Sequence, residues 1–146
     1  MRQRPVARPR VLIDTNIVLD VALARQPWVE AGSELLDLVS RQRIDGFVAA
    51  HAVTTVHYLI ERARGRAVAR TAIADLLTIV DVVPVGRADF LRALSTETRD
   101  FEDAVHVAAA LSVGAHWIAT RDARDYRNAP VPCRTAAELV ALLATP

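Results

Sequence analysis

The sequence has a single cysteine, Cys133, and no lysine among its 146 residues. One cysteine excludes an intramolecular disulfide and a cysteine-based zinc cluster. All 18 basic residues are arginines, and with 17 acidic residues they leave a formal net charge of only +1. So small a net charge does not indicate a nucleic-acid-binding surface. We attribute the preference for arginine to a compositional bias and not to function.

Long apolar runs are also missing. The most apolar stretch near the N-terminus, Val11 to Leu23, is interrupted by Asp14, Asn16 and Asp20. It is therefore predicted to be neither a signal peptide nor a membrane span. No membrane association is expected, and a cytoplasmic location is predicted because a lone cysteine suits a reducing compartment.

Short apolar runs alternate with helical patterns along most of the chain. Residues 1–9 are predicted to form a flexible basic lead-in, and residues 10–146 a single domain. Strands are predicted at 10–13, 46–50, 81–86, 116–120 and 131–133, and helices at 17–24, 27–43, 52–65, 66–77, 87–94, 101–113 and 136–143. Such alternation predicts an α/β fold with a parallel sheet and helices on both faces.

Polar residues stand at the ends of two predicted strands. Asp14 follows the first strand, within VLIDTNIVLD, and Thr120 and Asp122 follow the fourth, within ATRDARD. Ligands gather at the carboxyl ends of parallel strands, so these side chains are expected to meet in one crevice. Asn16 is predicted to cap the first helix, although Asp14 is also a residue type that caps helices.

A third acidic segment, RDFED, opens the helix predicted at 101–113. Asp100 and Asp103 have the spacing of an N-cap and its N3 acid, so helix capping explains them as well as function does. Clustered carboxylates repel each other unless a cation lies between them. Oxygen ligands suit Mg²⁺ or Mn²⁺, and no HExxH or paired cysteines indicate zinc. The pattern predicts an acidic Mg²⁺ or Mn²⁺ site for phosphoryl chemistry.

The histidines do not have a spacing typical of a metal site in the sequence. His106 lies one turn after Asp103 on the same predicted helix face. A supporting role beside the acidic residues and a peripheral position are both open for it. The other histidines are His51, His57 and His116.

Two motifs now identify a family resemblance. VLIDTNIVLD near the N-terminus and DFEDAVHVAAALSVGAHWIATRD near the C-terminus, with the α/β pattern between them, resemble PIN-domain ribonucleases of the VapC toxin class over about residues 10–143. The resemblance implies a three-layer α/β/α fold with a central parallel sheet. It implies a Mg²⁺- or Mn²⁺-dependent endoribonuclease that is the toxin of a type II toxin–antitoxin system. An RNA substrate, a cognate antitoxin and a homodimer are implied as partners.

The resemblance also assigns residues. It implies that the catalytic metal ligands are Asp14, Asp103 and Asp122. Accessory positions are Thr15, Asn16, Asp100, Thr120 and Asp125. The arginines near the expected crevice that are candidates for holding RNA phosphates are Arg99, Arg121 and Arg124.

One position departs from the family pattern. Many PIN ribonucleases carry a glutamate on the helix after the second strand, where this sequence has Thr55. Glu61 lies almost two turns further along and is too distant to replace it. The missing carboxylate leaves an alternative open, a catalytically weakened PIN-fold module that binds RNA or protein. A haloacid-dehalogenase-like phosphatase is disfavoured because Asn16 stands where its second aspartate is needed and the chain has no lysine.

The two helices predicted at 27–43 and 52–65 are more apolar than one sheet face requires. This surplus marks either a partner surface, which would fit a homodimer, or simple core. The residues concerned are Leu35, Leu36, Val39, Val56, Tyr58, Leu59 and Ile60.

Overall fold

The computed structural model describes residues 7–96, 100–126 and 128–144. The strands in these ranges are β1 (Arg10–Ile13), β2 (Asp45–Ala49), β3 (Asp81–Val83), β4 (Trp117–Ala119) and β5 (Cys133–Arg134). The α-helices are α1 (Thr15–Ala22), α2 (Val29–Ser40), α3 (Ala50–Arg64), α4 (Arg66–Ile79), α5 (Arg87–Leu94), α6 (Phe101–Ser112) and α7 (Ala136–Leu143). A short 3₁₀ helix covers Ala123–Tyr126. Within the described ranges, none of the helices has the length and hydropathy that crossing a bilayer requires.

The strands form one parallel sheet in the order β3-β2-β1-β4-β5. Strand β1 is central and pairs with β2 on one side and β4 on the other. Its three apolar residues are fully buried and alternate between faces: Val11 and Ile13 pack in one core cluster with α1 to α4 and α7, whereas Leu12 packs in another with α6. Helices therefore cover both faces, which confirms the predicted three-layer fold.

Most of the apolar surplus on α2 and α3 packs in the core. Leu35, Val39, Val56 and Ile60 are all buried against the sheet in the larger core cluster. Of the surplus residues, Tyr58 is the strongly exposed one, at 56%. The sequence could not show that these residues are buried. Five helices pack on this face of the sheet, and together they need more apolar side chains than a smaller number of helices would.

Helix α1 begins two residues earlier than the sequence predicted. Its N-cap is Asp14, so the prediction of Asn16 as the cap is wrong. The carboxylate of Asp14 makes no capping hydrogen bond, and its backbone N–H donates instead to the Ala119 carbonyl at 2.9 Å. A backbone hydrogen bond to β4 thus fixes the position of Asp14, and its side chain does not cap the helix.

The N-terminal segment reaches the sheet before β1 begins. Of the predicted lead-in, residues 7–9 are described. Arg8 lies 3.1 Å from the carboxylate of Asp45, and the Pro9 carbonyl accepts a hydrogen bond from the Asp45 amide at 2.8 Å. This end of the lead-in is therefore attached to the start of β2.

Candidate active site

The carboxyl ends of three adjacent strands bring the candidate residues together. Asp14 directly follows β1, and Thr120 directly follows its neighbour β4. On the other side, His51 is the second residue of α3, which continues from β2 without a loop. The first turns of α6 carry Asp103 and complete the group.

Asp14 is the buried acid of this crevice. It is 5% exposed, and the Thr120 hydroxyl donates to its Oδ2 at 2.9 Å. Burial raises the pKa of Asp14, and the hydrogen bond from Thr120 only partly opposes that rise. The sequence predicted both residues at this edge, and the structure brings them into contact.

Tyr126 connects Asp14 with Asp103. Its hydroxyl donates to Asp103 Oδ1 at 2.9 Å, and it also lies close enough to Asp14 to lower the pKa of that carboxyl. Burial and the two neighbouring carboxylates raise the pKa of Tyr126, so the phenol stays protonated and remains a donor. The structure thus places Asp103 beside Asp14, as predicted, through a tyrosine that the sequence reasoning missed. Only the position of Tyr126 at the end of RDARDY, one turn after Asp122, was a signal for it.

Asp122 stands at the rim of the crevice. Its carboxylate is exposed, and its Oδ1 accepts a hydrogen bond from the Arg124 amide at 3.3 Å. Its own amide donates to the Thr120 hydroxyl at 3.3 Å. The described contacts therefore tie Asp122 to the Asp14 group through its backbone, and they direct its carboxylate toward the loop.

The acidic start of α6 divides between capping and the crevice. Asp100 is the N-cap of α6, and its side chain accepts from the Glu102 amide at 2.8 Å. Glu102 in turn accepts a long hydrogen bond, 3.4 Å, from the hydroxyl of buried Thr15. Asp100 therefore has the capping role that its spacing allowed, whereas Thr15 faces the acidic group. Asn16 is exposed on α1.

Arg121 is partly buried by contacts with Asp20 and Trp28. Its guanidinium lies 3.4 Å from the carboxylate of Asp20 and 4.0 Å from the centre of the Trp28 ring. Asp20 is 1% exposed, and burial raises its pKa against the opposing charges of Arg121 and Arg25. Arg121, Asp20 and Trp28 border a cavity of about 250 Å³ between α1, α2 and the start of α7.

Three further predicted site residues are Arg124, Arg99 and Asp125. Arg124 is exposed beside Asp122. Arg99 lies outside the described residues, as does the side chain of Asp125, although the backbone of Asp125 belongs to the 3₁₀ helix.

Two histidines that are distant in the sequence meet beside the acidic crevice. The rings of His51 and His106 have centroids 4.8 Å apart, and His106 Nδ1 lies 3.8 Å from Asp14 Oδ1. Burial lowers the pKa of His106 to about 4, and the neighbouring His51 adds to this effect. His106 is fully buried. His106 is therefore neutral near pH 7 and lies within the site. In the sequence, its position one turn after Asp103 was only a weak indication of this location.

The fold is shared with solved toxin structures. VapC20 of Mycobacterium tuberculosis, described as a sarcin-ricin loop cleaving toxin, is 18% identical with a TM-score of 0.65, covering 80% of this chain and 93% of that one. VapBC2 of Rickettsia felis, bound to a promoter DNA fragment, is 10% identical with a TM-score of 0.68 over 86% and 98%. A toxin–antitoxin complex from Klebsiella pneumoniae is 19% identical with a TM-score of 0.64 over 86% and 97%.

The sequence comparison is more specific than these structural likenesses. No curated protein sequence matches the chain significantly. A profile of the PIN domain family, however, matches residues 10–124, which include strands β1 to β4 and the acidic residues Asp14, Asp103 and Asp122. The chain therefore belongs to the PIN domain family.

Proposed function

We propose that this protein is a Mg²⁺- or Mn²⁺-dependent endoribonuclease and the toxin component of a type II toxin–antitoxin system. One observation carries the proposal: Asp14 and Asp103, which are far apart in the sequence, both lie near the Tyr126 hydroxyl in a crevice at the carboxyl ends of the strands. The toxin named in one similar structure and the toxin–antitoxin complex in another support the toxin assignment and an antitoxin partner.

The donor set fits a hard divalent cation. Asp14 is buried, and its hydrogen-bond partner is the neutral hydroxyl of Thr120. This contact does not balance the negative charge of the carboxylate. Burial already raises its pKa, and Asp103 lies on the other side of Tyr126. Two carboxylates so placed are stabilised by Mg²⁺ or Mn²⁺, for which they are the preferred ligands.

The chain's own residues divide the work. Asp14 and Asp103 would hold the cation. The exposed Asp122, whose carboxylate accepts from the Arg124 amide, would complete the ligand set only by turning inward from the rim. Thr120 and Tyr126 fix the orientation of the two inner carboxylates by donating to them. When bound, the cation supplies Lewis-acid stabilisation of the negative charge that develops on a phosphodiester.

Binding of the RNA backbone would fall to the arginines at the rim. Arg124 is exposed next to Asp122 and is free of the packing that surrounds Arg121. A guanidinium there can contact a phosphate without losing a buried partner. Arg121 contributes differently, because its contacts with Asp20 and Trp28 shape the wall of the neighbouring cavity.

Cleavage of a labelled single-stranded RNA by the purified protein tests the proposal. Activity should require Mg²⁺ or Mn²⁺ and fall at least about 100-fold in Asp14→Asn, because removal of a ligand costs no less than loss of a group that orients one. Asp75→Asn is the matched control, since Asp75 is exposed on α4. Equal cleavage by Asp14→Asn and wild type, or no cleavage with either metal, would contradict the proposal.

A binding module without catalysis is the second candidate function. The observation that favours it is Thr55, whose hydroxyl donates to the His51 carbonyl of its own helix at 3.2 Å. Thr55 therefore supplies no charged ligand where the resembled ribonucleases carry a glutamate. RNA binding that persists in the cleavage assay, without any product at either metal, would establish this alternative.

The homodimer remains part of the proposal, on a different surface. Exposed apolar side chains stand together on α5 and at the start of α6, where Phe90 and Phe101 have ring centroids 6.2 Å apart. Leu94 beside them is 69% exposed. We propose that this α5–α6 patch, defined by Phe90, Leu91, Leu94 and Phe101, is the surface through which two chains associate.

A further inference from the structure

We propose that His51, Glu102 and His106 form a second metal site, selective for a borderline transition-metal ion such as Zn²⁺. The site borders the Asp14–Asp103 crevice and uses a different set of ligands. It goes beyond the proposed nuclease function, because these three residues can bind a metal whether or not the protein cleaves RNA.

Two helices bring the three ligands together. His51 lies in the first turn of α3, and Glu102 and His106 are one turn apart on α6. One donor atom of each residue lies within 4.8 Å of the donor atoms of the other two. Ligands of a Zn²⁺ ion at about 2.0–2.2 Å lie closer together than that, so an inward shift of about 1 Å is needed. Glu102 is exposed, and its side chain has the freedom to make this movement.

The ring nitrogens of both imidazoles are buried. All four ring nitrogens of His51 and His106 are shielded from water, and in the described part of the chain none makes a well-formed hydrogen bond. His106 is 0% exposed. Buried polar groups in folded proteins are normally hydrogen-bonded, and each exception needs an explanation. A metal ion between the two rings and the Glu102 carboxylate supplies the missing partner.

The ligand types select the metal. Two imidazole nitrogens and one carboxylate oxygen are a donor set for Zn²⁺, Co²⁺ or Ni²⁺, whereas Mg²⁺ requires oxygen ligands. Asp14 lies at the border, with its Oδ1 3.8 Å from His106 Nδ1. A carboxylate beside a metal-binding imidazole is a common arrangement that orients the ring. The two sites therefore meet at the Asp14–His106 contact.

Calorimetric titration of the metal-stripped, full-length protein tests the site. Wild type should bind one Zn²⁺ per chain at least ten-fold more tightly than Mg²⁺. Bound Co²⁺ should show the visible absorption bands of a nitrogen-ligated ion. Glu102→Gln should weaken Zn²⁺ binding at least ten-fold, and this variant keeps its fold because Glu102 is exposed. His106→Gln should abolish the Co²⁺ bands.

His57→Gln is the control, because His57 and Glu61 are a partly exposed pair one turn apart on α3, 3.6 Å from each other. It should bind Zn²⁺ as wild type does. Equal affinities for Zn²⁺ and Mg²⁺, or the same loss in His57→Gln as in Glu102→Gln, would overturn the proposal. Asp14→Asn separates the two proposals: it should lose RNA cleavage but retain at least a tenth of the Zn²⁺ affinity.

Discussion

Asp14 is the residue on which most of the site depends, and its burial has a measurable cost. Because burial raises its pKa above the ordinary 3.8, folding favours the protonated carboxyl. The contribution of the protonated Asp14 carboxyl to stability is therefore fully present below pH 3.8, and it is lost as the pH rises through the folded-state pKa of Asp14. At pH 7 without metal, the wild-type protein carries a buried charge that an asparagine would not carry.

Asp14→Asn should consequently be more stable than wild type at pH 7 in EDTA, and its advantage should shrink as the pH falls toward 4. Urea unfolding at several pH values measures this difference. Asp75→Asn, which removes a charge from the exposed face of α4, is the control and should show no such trend. If the Asp14→Asn advantage stayed constant with pH, burial of the charge would not be its origin.

Replacement by alanine should destabilise the protein at Arg121 and leave its stability nearly unchanged at Arg124. Arg121→Ala leaves Asp20 buried with only the more distant Arg25, at 3.8 Å. It should lower the free energy of unfolding by about 1–3 kcal/mol, the cost of a buried group that loses its partner. Arg124→Ala should change it by less than about 0.5 kcal/mol, since Arg124 is exposed.

RNA binding supplies the second measurement on these arginines. Arg124→Ala should reduce the salt dependence of RNA affinity by about 0.7 in the log–log slope, which corresponds to one lost phosphate contact on a single strand. An unchanged slope would remove Arg124 from the proposed RNA surface. An Arg121→Ala protein as stable as wild type would show that the contact with Asp20 contributes little.

At the scale of single residues, the sequence predicted the site residues that directly follow strands. It missed the residues that come together only in the folded protein. Asp14 and Thr120 were predictable because the carboxyl ends of neighbouring parallel strands must coincide. Tyr126 and the pair His51 and His106 were not, because no local pattern states that a loop and two helices will meet. Arg121 was predicted as a candidate RNA-binding residue, and its contact with buried Asp20 was not predicted because Asp20 lies a hundred residues away in the sequence.

Gly65 controls how two helices follow each other. It separates α3 from α4 with φ +90° and ψ 167°, a conformation that is almost restricted to glycine. A Cβ at this position would meet no atom within 4 Å, so the cost of a side chain there is purely conformational.

Gly65→Ser should therefore lower the free energy of unfolding by about 1–3 kcal/mol. The same substitution at Gly86, the N-cap of α5 with φ −119°, should be neutral or stabilising by a few tenths of a kcal/mol. A Cβ at Gly86 also meets nothing within 4 Å, which makes the pair a matched comparison in urea unfolding. Equal effects at both positions would show that the left-handed backbone is not the cause.

At the level of elements, the apolar pattern predicted every strand and helix of the described chain except one. Residues 10–13, 87–94 and the Thr135-capped α7 have the predicted bounds, because each is delimited by a local signal such as a cap or a polar stop. The 3₁₀ helix at Ala123–Tyr126 was predicted as loop. Its sequence has no apolar period, and it is held in place by Tyr126, which packs in the core.

Association belongs to the scale of the whole molecule. Light scattering should give twice the 16.0 kDa mass of one chain. Leu94→Glu in the α5–α6 patch should return the mass to that of a single chain, because it places a charge in an apolar interface. Leu142→Glu, at a residue 55% exposed on α7, should leave the mass unchanged. A single-chain mass for the wild type across a wide concentration range would refute the homodimer.

The central position of β1 also determines when the acidic crevice can form during synthesis. One neighbour of β1, β2, leaves the ribosome soon after it, but the other, β4, is made about a hundred residues later. Until then Asp14 has neither the Ala119 carbonyl nor the Thr120 hydroxyl that fix it, and Tyr126 comes later still. A nascent chain therefore cannot assemble the acidic crevice until the residues of β4, Thr120 and Tyr126 have been synthesised.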